Sequence, residues 1–78
     1  MGHYIVVSTY WDTDFAETFI LGCKHSLDAA QDIFKTEKIE YEKKQKQLGW
    51  EVYSDSETEY VIGNREYNIQ LYIEYVGN

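Results

Sequence analysis

Apolar positions along this chain follow two periods. Between Ser26 and Leu48, the residues Leu27, Ala30, Phe34, Tyr41 and Leu48 recur at spacings of three, four and seven, and Ala29 and Ile33 widen the stripe. That is one face of a 3.6-residue helix, and it needs a sheet to lie on. Ser26 offers a hydroxyl to the free N–H groups of the first turn, and Asp28 puts negative charge at the positive dipole end. Lys43, Lys44 and Lys46 stand near the other end, with Gly49 placed as the residue that ends the helix.

Outside that stretch the period drops to two. Tyr4 to Trp11 is rich in β-branched and aromatic types and stops at Asp12-Thr13-Asp14. Phe15 to Cys23 is a second such run, so the pair predicts an antiparallel hairpin. The facing of the second run stays open: Phe19, Leu21 and Cys23 compete with Thr18, Ile20 and Gly22, and Gly22 marks either a bulge or a close approach to the helix.

After the helix, Trp50 to Ile62 and Arg65 to Val76 alternate on either side of Gly63-Asn64, read as a two-residue hairpin turn. That turn pairs Ile62 with Arg65, Tyr60 with Tyr67, Thr58 with Ile69 and Val52 with Tyr75, and it gathers both apolar sets on one face. Ser54-Asp55-Ser56 is turn-like and can split the first of these strands. The expectation is an α+β domain over residues 1–78: a ββαββ two-layer sandwich, with one helix over 26–48 on one face of a four-stranded antiparallel sheet.

Charge then singles out the other face. The chain carries a formal net charge of -7, yet 35–48 holds five lysines against three glutamates, leaving eleven acids against Lys24 and Arg65 elsewhere. On the helix, Glu40 with Lys44 and Glu42 with Lys46 are spaced for ion pairs on a solvated face. Strict alternation in the second hairpin turns Glu51, Tyr53, Asp55, Glu57, Glu59, Glu66, Tyr72 and Glu74 away from the helix. Alternate carboxylates along a strand lie ~6.8 Å apart and neighbouring strands ~4.8 Å apart, so the prediction is a two-dimensional negative array with tyrosines in it. An exposed polar face is ordinary for an antiparallel sheet. Crowded carboxylates on strands repel, however, a cost that a purely solvated face avoids, and tyrosine adds contact area at low entropy cost. These eight residues are the candidate partner-binding set, for a host protein with a basic surface, itself of the kind that binds nucleic acid. Direct nucleic acid and anionic membranes are excluded as partners by repulsion.

Catalytic and metal chemistry find little support. Cys23 and His25 stand two apart before the helix, where a thiolate can be activated, but nothing else completes a catalytic set. His3, Cys23 and His25 show neither C-x-x-C nor H-x-x-x-H spacing, and Asp12-Thr13-Asp14 lacks the glycine and closing glutamate of a calcium loop. No enzyme, cofactor or metal is expected. One cysteine permits no internal disulfide, and no leader or long apolar run appears, which suggests the cytoplasm. Open sheet edges and eight tyrosines favour a homodimer.

The run Gly22-Cys23-Lys24-His25-Ser26-Leu27-Asp28-Ala29, a strand ending in a capped helix start, resembles small proteins encoded by bacteriophages, among them anti-CRISPR and other counter-defence inhibitors. The resemblance covers those residues and the ββαββ outline. It implies an acidic, non-enzymatic inhibitor and carries no residue roles. The alternative reading is an oligomer that sequesters a nucleotide-like ligand between subunits.

Overall fold

The computed structural model describes residues 2–77. It is an α+β fold with one helix, α1 (Leu27–Leu48), and a five-stranded antiparallel sheet, β1 (His3–Trp11), β2 (Ala16–Lys24), β3 (Glu51–Asp55), β4 (Glu59–Gly63) and β5 (Asn68–Val76). The strands lie in the order β2-β1-β5-β4-β3. The expected four strands become five because the stretch before Gly63 folds back on itself. Ser56 accepts the backbone N–H groups of Thr58 and Glu59 on its hydroxyl, and its own N–H donates to Glu59 O at 2.8 Å. The turn-like Ser54-Asp55-Ser56 stretch thus ends β3, and a hairpin replaces one long strand.

The second hairpin turns differently from the expected two-residue loop. Asn64 Oδ1 accepts from the N–H groups of Glu66 and Tyr67, and Asn64 N–H donates to Tyr67 O. Four residues therefore form the loop, with Gly63 paired to Asn68, Ile62 to Ile69 and Tyr60 to Leu71. The expected pairings of Ile62 with Arg65 and Tyr60 with Tyr67 are corrected by four positions on β5. An even shift preserves facing, so the apolar set still shares one side.

Helix α1 begins and ends where its caps dictate. The Ser26 hydroxyl accepts from Ala29 N–H at 3.2 Å, and Gly49 takes a left-handed φ of 67° with its N–H on Gln45 O. Ala30 and Phe34 are its buried residues, meeting Val6, Tyr60, Ile62, Ile69 and Leu71 in one core. Fully burying such a side chain contributes roughly 1.5–3 kcal/mol. Leu27 and Leu48, the first and last residues of the helix, stay substantially exposed. Among the described residues the ion pairs are Lys43 with Glu40, three apart, and Lys38 with Asp55; the expected Glu40–Lys44 and Glu42–Lys46 pairs do not form. No helix among the described residues is long and apolar enough to cross a membrane.

Two bulges set the facing of the outer strands. In β2, Gly22 pairs with Val6 and Ile20 with Val7, leaving Leu21 as the extra residue. Parity flips there, so Phe19 and Gly22 lie on the helix side while Ile20 and Cys23 lie on the other. The ambiguity in that strand thus has a physical answer: each reading holds for half of it. Gly22 also sits so close to the helix that a Cβ there would meet Ile33 Cδ1 at 2.5 Å. In β3, Val52 pairs with Ile62 and Ser54 with Val61, leaving Tyr53 as the extra residue.

Candidate functional site

The sheet face away from α1 is assembled by strand register in rows that cross the strands. One row runs Ala16, Trp11, Asn68, Gly63, Glu51; the next runs Thr18, Thr9, Gln70, Val61, Ser54. A third holds Ile20, Val7, Tyr72 and Glu59, a fourth Cys23, Ile5 and Glu74, and His3 pairs with Val76 at the end. The centre is therefore apolar and hydroxyl-rich, and Glu51, Glu59 and Glu74 lie around it. None of these register positions holds lysine or arginine.

Exposure across this face is graded. Val7 is only 5% exposed, because Ile20 and Tyr72 flank it, whereas Ile20 is 69% exposed and Val76 42%. Thr9 and Thr18 join hydroxyls across the first hairpin at 3.1 Å. At ~4.8 Å between strands and ~3.4 Å per residue, three strands of nine residues and two of five tile a face of roughly 600 Å². A standard protein interface takes about 800 Å² from each partner, so the face is of docking size.

The eight expected residues are not gathered into one array. Glu51, Glu59, Tyr72 and Glu74 occupy the open face. Tyr53 is the bulge residue of β3 and is 51% exposed. Asp55 is corrected to the helix side: the bulge at Tyr53 shifts parity, Asp55 pairs with Tyr60, and its carboxylate accepts from Lys38 Nζ. Glu57 and Glu66 lie in the turns at opposite ends of β4, so neither extends the array. Glu59 is tied down by neutral donors, Ser54 Oγ and Gln70 Nε2, each at 2.8 Å. The apolar centre of Ile5, Val7, Ile20 and Val61 is absent from the expected set. Its signal was the β1 sequence, in which Ile5 and Val7 alternate with Tyr4 and Val6, so that both sides of the strand are apolar.

Electrostatics elsewhere are local. Asp12 accepts from the N–H groups of Asp14 and Phe15 and from the Tyr10 hydroxyl, and these bonds, Asp14 foremost, hold its carboxyl below the usual range against a smaller effect of burial. Burial, then the negative charges of Glu42 and Asp55, push the Tyr60 phenol up, and Lys38 Nζ lies 5.2 Å from its ring centre. The Ser8 hydroxyl, buried on the helix side, meets the Tyr41 hydroxyl at 2.6 Å.

Among the described residues there is no pocket to enclose a ligand and no group of three or more metal-ligating side chains arranged to hold an ion. No family model, curated protein or solved structure matches this chain.

Proposed function

We propose that this is a non-catalytic cytoplasmic binding protein that docks its open sheet face on a partner protein with an apolar patch rimmed by lysine and arginine. The observation that carries the reading is the composition of that face: exposed Ile20 and half-buried Ile5, Tyr72 and Val61 at the centre, Glu51, Glu59 and Glu74 around them, and no cation at any of its register positions. An apolar centre supplies contact energy, and a one-signed surround selects the partner and speeds encounter. Face-to-face pairing of two copies would oppose like charges, which favours a basic partner over self-association through this face. The likeness to phage counter-defence proteins makes a host defence protein the partner class, with inhibition by simple occlusion.

The test is capture from a bacterial lysate by the wild type and by Ile20→Lys and Glu74→Lys. Both side chains are exposed on the open face, so each variant keeps its melting behaviour within about 0.5 kcal/mol. Loss of a partner in both, with wild-type capture fading as salt rises, is the expected result. Capture that is indifferent to both substitutions rules the face out.

A further inference from the structure

We propose that His3 and His25 form a two-imidazole clamp for a divalent ion of the zinc class. The first hairpin brings them together: Tyr4 pairs with Lys24, Ile5 with Cys23 and Val6 with Gly22. One further step outward in the same register sets His3 directly across from His25, on the open side of the sheet that Ile5 and Cys23 share. The two rings lie with centroids 4.7 Å apart at an interplanar angle of 44°. Opposed residues of an antiparallel pair have Cβ atoms about 4.5–5.5 Å apart, which leaves both imidazoles within reach of one ion at Zn–N distances of about 2.0–2.1 Å.

Chemistry and surroundings favour such an ion. Imidazole suits zinc, nickel and copper and offers little to magnesium. His25 is exposed and His3 half-buried, so the ion can enter from solvent and keep water in its remaining positions. The next row inward carries Cys23 and Glu74 on either side of Ile5, both tolerant of a cation, and Lys24 takes the opposite facing. As they stand, no third ligand converges with the two rings among the described residues, so the site is a clamp and not a closed structural centre. Binding would fasten the first residue of β1 to the one that precedes the helix cap Ser26, and so tie edge strand β2 and the helix entry to the sheet.

The test is a titration of tag-free protein with Zn2+, with Mg2+ as control, followed by calorimetry and by melting. One Zn2+ per chain is expected, with a melting temperature that climbs with Zn2+ concentration and does not respond to Mg2+. Losing a ligand costs at least the roughly 10- to 100-fold that losing a ligand's support costs, so His3→Ala and His25→Ala should each weaken binding by that much or more. Cys23→Ser should keep it. In nuclear magnetic resonance, the ring signals of both histidines should move together on titration, a readout that needs no variant. Wild-type affinity in either histidine variant, loss confined to Cys23→Ser, or movement of one imidazole alone overturns the proposal.

Discussion

The two faces of this sheet are built from the same strands and meet opposite demands. On the covered side, Val6, Ile62 and Leu71 are fully buried under α1, and the buried Ser8 hydroxyl is satisfied by Tyr41. On the open side the neighbours of those residues, Val7, Val61 and Tyr72, are interleaved with Thr9, Gln70 and Glu59. The centre of the covered side is closed to change because its side chains are packed against one another under α1. The open side holds apolar groups without a layer of this chain above them, so packing within the fold constrains its composition less.

That contrast predicts a gradient of mutational cost. Phe34→Ala, at the centre of the covered side, should lose about 3–5 kcal/mol, read as the shift in a urea unfolding midpoint. A loss no greater than that of Ile20→Lys would erase the distinction between the faces. Tyr41→Phe removes the partner of the buried Ser8 hydroxyl and should cost about 1–3 kcal/mol, while the double variant with Ser8→Ala recovers part of that loss. No recovery would mean that the pair is not coupled.

The smallest effect lies in the β1–β2 turn, outside both faces. Asp12 has its folded value lowered, so its contribution is complete above the unfolded value near 3.8 and is lost as pH falls through the folded one. Asp12→Asn keeps an oxygen acceptor and drops the charge. The wild-type advantage over this variant should be present near neutral pH and shrink as pH falls below the unfolded value and through the lowered folded one. An advantage independent of pH would show that the turn uses geometry alone.

Sequence pattern reached the covered side more readily than the open one, for reasons that reside in particular residues. Ser26 and Gly49 act within one helical turn of themselves, so the helix limits were legible from local chemistry. Tyr60, Ile62, Ile69 and Leu71 kept their facing although the register was misjudged, because the Asn64 turn displaces it by an even number. The open side depended on single-residue events. Tyr53 as an added residue in β3 turned Asp55 under the sheet, and no periodicity marks such an insertion in a five-residue strand. Leu21 did the same in β2, and there the conflict between the two readings was itself the trace of the bulge. His3 and His25 stand 22 positions apart in the chain and fit no ligand spacing, and only the pairing of Tyr4 with Lys24 makes them neighbours.

Both added residues, Leu21 and Tyr53, fall on the two outermost strands, one on each flank of the sheet. A kinked border offers a poor template for another straight strand, so lateral growth into ribbons or fibrils is hindered from both directions. A chain with this many tyrosines and no proline to interrupt its margins gains solubility from two irregularities of one residue each.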